Sequence, residues 1–174
     1  MARNIEIKAR VVDMDALTAR AAAIAHSGPV EIPQDDTFFR CANGRLKLRV
    51  FENGHGELIF YRRADQGGTK ESFYLLSPTE SPDTLRAALT LANGQEGRVV
   101  KHRTVFMVGR TRVHLDRVEG LGDFMELEVV LADGEAAEAG VREAHALMAR
   151  LQIPADCLVE GAYHDLLRDR GARA

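Results

Sequence analysis

The sequence has 174 residues, of which 45% are apolar and 28% are charged, with a net charge of −3. This length favours a single domain over residues 1–174 with its own apolar core, and the composition is typical of a soluble globular protein. Because the net charge provides no overall basic field, we do not expect nucleic acid as a main partner. No apolar stretch approaches the roughly 20 residues that span a bilayer, and the first residues lack the apolar segment of a secretion signal. We therefore expect a cytoplasmic protein without a membrane partner.

The first half of the chain predicts strands separated by turns, with one early helix. Asp13-Met14-Asp15 favours a helix start, because acidic residues stabilise a helix N-terminus, and Ser27-Gly28-Pro29 is expected to end this helix after residues 16–26. Asn43-Gly44 and Asn53-Gly54 predict tight turns, since Asn-Gly between alternating segments is typical of a hairpin. Extended segments are expected at 3–12, 37–40, 45–51, 57–63 and 69–76.

The second half predicts one helix, three strands and two further helices. Ser81-Pro82-Asp83 favours the start of a helix that continues to about Ala92. Strands are then expected at 97–108, 111–118 and 123–131, and helices at 134–151 and 154–168. We expect Glu135, Glu138, Arg142 and Glu143 to form a solvated helix face, and Arg168, Arg170 and Arg173 to form a frayed tail. Seven or eight antiparallel strands with a few helices indicate an α+β domain.

Several predicted strands alternate charged and apolar residues. Successive side chains of a strand point to opposite faces, so Glu6 and Lys8 share one face while Ile5 and Ile7 share the other. Other strands repeat the pattern with Arg45, Lys47 and Arg49; with Lys101 and Arg103; with Arg112, His114 and Asp116; and with Glu126 and Glu128. For any one strand, a solvated polar face is the simpler interpretation. Whole faces of like charge favour a second interpretation, in which counter-ions lie between the charged side chains. Without counter-ions the like charges would repel each other.

The kinds of charge indicate what the counter-ions are. Rows of cations suit a polyanion such as phosphate, and clustered carboxylates suit a hard divalent cation. If the apolar faces pack outward under the helices, the charged faces must point into a shared interior. The alternation therefore predicts a closed antiparallel β-barrel of about eight strands, with a polar, charged lumen and helices packed outside. An open sheet with one charged face is the alternative.

At this point a resemblance to a known family becomes specific. Glu6-Ile7-Lys8 resembles the second half of the Glu-x-Glu-x-Lys signature of the CYTH superfamily, the triphosphate tunnel metalloenzymes. Further similar segments follow in the family's order at 46–49, 101–103, 112–128 and 162–167. Within the superfamily, Leu58 to Arg63 and the block from His114 to Phe124 are most similar to class IV adenylate cyclases. Asn4 departs from the signature, because an amide stands in place of its first carboxylate, and this leaves the number of bound metals open.

The resemblance implies a role for each charged row. Mg²⁺ or Mn²⁺ is the implied cofactor, because the proposed ligands are hard oxygens. The implied metal ligands are Glu6, Asp116, Glu126 and Glu128, and Lys101 and Arg103 join them as catalytic residues. The implied phosphate-binding residues are Lys8, Lys47, Arg49, Arg62, Lys70, Lys101, Arg103 and Arg112. From the residues alone, the carboxylates could equally be strand-face acids paired with nearby Arg, and His114 is expected as a polar residue of the lumen.

Three functions follow from this assignment. The first is an adenylate cyclase that converts ATP to cyclic AMP and pyrophosphate. The second is a triphosphatase that hydrolyses inorganic, thiamine or nucleoside triphosphate with the same cations and metals. The third is a non-catalytic nucleotide- or polyphosphate-binding protein, which the missing carboxylate at Asn4 favours. The resemblance also suggests a homodimer, and we expect Tyr163 and Asp165 to tie the terminal helix to the barrel.

Overall fold

A computed structural model describes residues 2–63 and 70–172, without the side chains of residues 2, 63 and 70. The strands in these ranges are β1 Ala2–Arg10, β2 Ser27–Phe39, β3 Arg45–Val50, β4 Gly56–Arg63, β5 Lys70–Thr79, β6 Gln95–Val108, β7 Thr111–Val118 and β8 Gly122–Val130. The helices are α1 Met14–Ile24, α2 Pro82–Asn93, α3 Ala137–Arg150 and α4 Tyr163–Gly171, with one 3₁₀ turn at Ala155–Cys157. Among the helices of the described ranges, none has the length and apolar character needed to cross a membrane.

The eight strands form one antiparallel sheet that closes in a ring. Their order around the ring is β1-β5-β4-β3-β2-β6-β7-β8, so that β8 returns to β1. The closing pair places Glu6 opposite Glu128 and Lys8 opposite Glu126. The expected closure of the sheet is confirmed, and the open sheet is excluded.

The main apolar core lies outside the ring, under α1 and α3. Ile7 of β1 and Leu127 of β8 point outward and are buried together with Leu17 of α1 and Leu147 of α3. Burying each such side chain contributes roughly 1.5–3 kcal/mol relative to leaving it in water. Because the outward faces carry these apolar residues, strand alternation turns the charged residues toward the interior.

Helix α4 covers one end of the ring. The His164 ring stacks on Phe38 of β2 with their centroids 4.9 Å apart, and Tyr163 meets Phe124 of β8 edge-on at 5.0 Å. Asp165 Oδ2 lies 2.7 Å from Arg45 Nη1. The expectation that Tyr163 and Asp165 tie this helix to the strands agrees with these contacts.

Strand β2 is much longer than the sequence predicted. Only 37–40 was expected to be extended, whereas β2 begins at Ser27 and pairs with β6 along most of its length. Pro29 and Pro33 weaken a strand prediction, because proline cannot donate to a β-ladder. At Gly28, whose φ is +106°, an added Cβ would lie 2.6 Å from the Val105 carbonyl oxygen, so glycine permits this close approach of the two strands.

The C-terminal region also differs from the prediction. The helix expected from 154 begins only at Tyr163, because Leu158 and Val159 instead pair with the backbone of β1. Glu135 and Glu143 of the expected solvated face are partly exposed, and both carboxylates accept hydrogen bonds from Arg110 at 2.5–2.8 Å. Arg170 belongs to α4 and donates to the Gly120 carbonyl, so the tail is not frayed there. Arg173 lies outside the described residues.

Candidate active site

The interior of the ring holds a cavity of about 360 Å³. Alternate residues from all eight strands line it, together with Ala162 and Tyr163 at the end covered by α4. Its titratable lining residues are Glu6, Lys8, Asp36, Lys47, Arg49, Glu57, Lys101, Arg103, Arg112, His114, Glu126 and Glu128. The structure therefore brings together most of the charged residues that alternation placed on one face.

Asp116 is on the same face of β7 as Arg112 and His114, but it does not line the cavity and is the centre of a buried ion-pair network. Its carboxylate is fully buried and accepts hydrogen bonds from Arg103 Nε and Nη2 at 2.7 Å each. Lys101 Nζ at 3.0 Å and the Tyr163 hydroxyl at 2.8 Å donate to the same carboxylate. Burial raises the pKa of Asp116, but Arg103 and Lys101 outweigh burial and hold the pKa well below its usual range. Asp116 is thus an ionised partner of Lys101 and Arg103, and it is absent from the cavity lining that holds the other three predicted metal ligands.

Arg103 connects this network to Glu126. Its Nη2 lies 2.9 Å from Glu126 Oε2, while Lys8 Nζ lies 3.6 Å from Glu126 Oε1. Burial raises the pKa of Glu126, and Lys8 and Arg103 lower it by more, so this carboxylate stays ionised. Lys8 is itself held 4.1 Å above the Tyr163 ring. These contacts fix the positions of two cations before any ligand binds.

A second group in the cavity has the composition of a metal site. One ligand atom each from His114, Glu126 and Glu128 lies within 4.8 Å of the other two. Strand register explains this, because His114 of β7 is directly opposite Glu126 of β8. Burial and Arg103 lower the pKa of His114 to about 4, so its imidazole is neutral near pH 7 and offers a lone pair. The donor set fits a divalent cation, because His114 Nδ1 is buried beside two carboxylates and has no hydrogen-bond partner among the described residues.

A third group lies across the interior on β2 and β3. Asp36 accepts hydrogen bonds from Lys47 Nζ at 2.6 Å and from Arg49 Nε and Nη2 at 2.7 and 2.8 Å. Burial and Arg49 lower the pKa of Lys47 to about 8, despite the opposing effect of Asp36. Asp36 was not predicted as a site residue, because the extended segment expected here covered only 37–40. Its signal was the alternation of Gln34, Asp36 and Phe38, which all point inward.

The remaining predicted phosphate-binding residues have different positions. Arg112 lines the cavity and donates to Glu128 at 2.8 Å. Arg62 does not line this cavity, because Tyr61 of the same strand points inward and alternation turns Arg62 away. Instead Arg62 donates to the Asn43 carbonyl at 2.7 Å and lines a separate cavity beside Arg45 and Arg168. The side chain of Lys70 lies outside the described part of the chain.

The charges of the interior are nearly balanced. Among the described residues, six Lys or Arg side chains and five carboxylates line the cavity, and the buried Asp116 carboxylate contacts two of these cations, Lys101 and Arg103. A triphosphate brings several negative charges, so its binding without added cations would leave an excess of negative charge in a buried space. The interior therefore suits a polyanion that arrives together with divalent cations.

Comparison with known proteins agrees with this geometry. The family model described as CYTH domain matches residues 2–163. An adenylate cyclase CyaB of Aeromonas hydrophila is 28% identical over 141 residues, which cover 76% of this chain and 71% of that protein.

Solved structures share the fold at low sequence identity. A protein of Pyrococcus horikoshii OT3 matches with a TM-score of 0.83 at 21% identity, covering 94% of this chain and 99% of that one. The Hippeastrum protein HpAC1, described as having a dominant triphosphatase activity, matches with a TM-score of 0.67 at 18% identity, covering 96% of both chains. With the family model matching nearly the whole sequence, the chain belongs to the CYTH domain family.

Proposed function

We propose that this protein is a metal-dependent enzyme that binds a triphosphate inside the ring of strands, and that it is an adenylate cyclase acting as one domain. The observation that carries the proposal is the presence, in one buried cavity, of pre-positioned Lys and Arg side chains beside the cluster of His114, Glu126 and Glu128. Membership of the CYTH family and similarity to the CyaB adenylate cyclase support it. In this proposal the cavity is a tunnel-like lumen for the phosphate chain.

The phosphates are held by cations that line the cavity and that keep donors beyond those used for Asp36. Arg49 uses Nε and Nη2 to contact Asp36, which leaves Nη1 for a phosphate oxygen. Lys47 uses one of its three N–H groups for Asp36. Lys8, Lys101, Arg103 and Arg112 supply the other positive charges of the lining. Because carboxylates hold several of these groups in place beforehand, little reorganisation is needed when charge develops on the substrate.

Glu126, Glu128 and His114 would hold the metal, with Glu6 and Asn4 lining the same cavity. The bound ion would supply Lewis-acid polarisation of the phosphate and would favour ionisation of the attacking hydroxyl. Mg²⁺ and Mn²⁺ both suit the carboxylate oxygens. Asp116 has a different role in this proposal, since it orients Lys101 and Arg103 and is not a ligand.

In the cyclase reaction the ribose 3′ hydroxyl loses its proton and its oxygen bonds to the α-phosphorus. The bond from the α-phosphorus to the bridging oxygen breaks, and pyrophosphate leaves. The Lys and Arg side chains stabilise the negative charge that grows on the pyrophosphate, and they orient the phosphate chain for displacement in line. These residues act by position and charge alone, so the reaction depends on their buried counter-ions staying in place.

A triphosphatase is the second candidate function. In that reaction water attacks the γ-phosphorus of inorganic, thiamine or nucleoside triphosphate, and the same cations stabilise the leaving group. The activity described for HpAC1, whose fold this chain shares over 96% of its length, favours this alternative. Both candidate enzymes require the metal cluster. A non-catalytic polyphosphate-binding protein would bind triphosphate without converting it, whichever divalent metal is present.

Product analysis separates these functions. The purified protein is incubated with ATP and with inorganic triphosphate, each with Mg²⁺ and then Mn²⁺, and products are identified chromatographically. Cyclic AMP and pyrophosphate would support the cyclase, orthophosphate without cyclic AMP would support the triphosphatase, and bound but unchanged triphosphate would contradict both. Glu126→Gln is expected to lose activity, while Glu138→Gln is the matched control because Glu138 is exposed on α3.

A further inference from the structure

We infer that His114 is a metal ligand, and that the nitrogen it provides makes the site bind Mn²⁺ more tightly than Mg²⁺. The inference rests on the proposed function, since it concerns the metal of that same site. Its starting point is His114 Nδ1, one of five buried side-chain atoms without a hydrogen-bond partner among the described residues, and the one that belongs to the cluster with Glu126 and Glu128. Asn4 Oδ1 is another of the five, and Asn4 lines the same cavity. His114 is 4% exposed and Asn4 is 2% exposed, so water does not replace the missing partners at the surface. Buried polar atoms in native proteins almost always have a partner, and here a cation can provide it.

The position of His114 brings its ring to the carboxylates. Its Nδ1 lies 3.7 Å from Glu128 Oε1, which is longer than a hydrogen bond. Two adjacent ligands of one ion with metal–ligand distances of about 2.1 Å lie about 3 Å apart, so a small adjustment lets both atoms bind the same ion. Glu126, directly across the β7–β8 ladder, completes the group within 4.8 Å.

An ion pair between His114 and Glu128 is the competing explanation. Glu128 already accepts hydrogen bonds from Arg112 at 2.8 Å, so its charge has a counter-ion. Arg103 likewise contacts the neighbouring Glu126 at 2.9 Å, so this carboxylate also has a counter-ion without a protonated His114. An imidazole nitrogen without a hydrogen-bond partner, as His114 Nδ1 is among the described residues, can offer its lone pair to a metal ion.

The ligand types then determine the preferred metal. Asn4 provides a neutral oxygen where a carboxylate would add charge, and His114 provides a neutral nitrogen. Mg²⁺ strongly prefers oxygen ligands and retains its waters, whereas imidazole binds first-row transition metals better than it binds Mg²⁺. Replacing charge by nitrogen therefore weakens Mg²⁺ binding more than Mn²⁺ binding.

Electron paramagnetic resonance of Mn²⁺ bound to the full chain, without substrate, tests this directly. Electron spin-echo modulation from a coupled ¹⁴N nucleus is expected in the wild-type protein and in His102→Gln, a control because His102 is an exposed histidine paired with Glu31. His114→Gln should lose the modulation and raise the Mn²⁺ dissociation constant by about tenfold or more, while Mg²⁺ affinity from competition titrations changes less than twofold.

The wild-type spectrum decides the question even if a variant folds poorly. Bound Mn²⁺ without nitrogen coupling would overturn the inference, and so would a failure to bind Mn²⁺ at all. The proposed function fails in a different way, by an absence of triphosphate turnover. If the protein binds Mn²⁺ with nitrogen coupling but does not convert triphosphate, the inference stands and the proposed function is wrong. Asn4→Asp provides a second test. The new carboxylate should raise the affinity for Mg²⁺ and so reduce the ratio of Mn²⁺ affinity to Mg²⁺ affinity.

Discussion

Asp36 on β2 holds Arg49 on β3 through two parallel hydrogen bonds, from Nε at 2.7 Å and from Nη2 at 2.8 Å. The same carboxylate accepts from Lys47 at 2.6 Å, and only 2% of Asp36 is exposed. Two buried cations therefore depend on one buried acid. Removing one partner of such a group leaves an uncompensated buried charge, which costs more than the ion pair itself contributes.

Asp36→Asn is expected to destabilise the protein by about 3–5 kcal/mol, because it leaves Lys47 and Arg49 without their counter-ion. The measurement is the free energy of unfolding from a urea titration. Asp35→Asn is the matched control: Asp35 contacts Arg98 with equally short distances of 2.5 and 2.7 Å, but the Arg98 side chain is 60% exposed. We expect the control to cost less than about 1 kcal/mol. Equal losses in the two variants would show that the buried position of Asp36 is unimportant.

The same variant is expected to change catalysis in a particular way. Without Asp36 the cavity gains positive charge, so the affinity for triphosphate should not fall. The two cations lose their fixed orientation, and kcat should drop by about tenfold to a hundredfold. Steady-state kinetics at several substrate concentrations separates the two parameters. A rise in KM with unchanged kcat would contradict a positioning role for Asp36.

Tyr163→Phe is expected to reduce stability by about 1–3 kcal/mol, because it removes one of the hydrogen bonds to the buried Asp116 carboxylate. The phenylalanine ring preserves the contacts with Lys8 and Lys101, whose ammonium groups lie 4.1 and 4.8 Å from the ring centroid. Tyr163→Leu should cost more, since it removes both the hydroxyl and the ring. Urea unfolding of both variants measures the difference, and equal stabilities would mean that the ring contributes nothing.

Part of this site could be predicted from the sequence, because strand alternation is a local property. Once β1 and β8 are recognised, Glu6, Lys8, Glu126 and Glu128 must share the face opposite the apolar residues. The pairing across the ring is not local. That Arg103 lies opposite Asp116 depends on the register between β6 and β7, and this register pairs a predicted metal ligand with Arg103 and Lys101.

Two other differences have equally specific causes. Asp36 belongs to a strand whose prolines obscure the pattern, so the strand was predicted only over 37–40 and its inward acid was not predicted. Arg62 was predicted from its charge, although its neighbour Tyr61 occupies the inward position of that strand. Which alternate residues of β4 face inward depends on how β4 pairs with β3 and β5. The sequence of β4 alone does not determine this pairing.

The affinity for triphosphate is expected to fall as pH rises from 7 to 9. Burial lowers the pKa of Lys101 to about 7 and that of Lys47 to about 8, so both amines lose their protons in this range. A bound anion favours the protonated forms, so binding above these pKa values must include proton uptake and becomes weaker. Calorimetric titration with a non-hydrolysable triphosphate analogue, in buffers of different ionisation enthalpy, measures both quantities.

Lys47→Arg provides the control for this pH dependence, because arginine stays protonated throughout the range. The decline in triphosphate affinity near pH 8 should disappear in this variant, while the decline near pH 7 remains.

The folding stability is expected to change with pH in the opposite direction to the triphosphate affinity. Since the folded pKa values lie below the ordinary value of lysine, the unfolded chain binds more protons above about pH 7, and the free energy of unfolding of the ligand-free protein should rise with pH in that range. A pH-independent affinity would contradict the role of both amines.

Gly97→Ala is expected to loosen α4 from the end of the ring. A Cβ added to Gly97 would lie 2.9 Å from His164 Cδ2, and His164 is already stacked on Phe38. Overpacking of this kind costs about 1–3 kcal/mol, and here α4 must shift because the other partner is a strand of the closed sheet. Gly171→Ala is the control, since nothing lies within 4 Å of its added Cβ. Hydrogen exchange measures the effect: backbone amides of residues 163–171 should exchange faster in Gly97→Ala than in the control, while those of β7 and β8 stay protected. Because α4 carries the tyrosine that contacts Asp116, Gly97→Ala should also reduce turnover. Full protection of the α4 amides together with normal turnover would show that α4 does not need the close contact at Gly97 to stay in place.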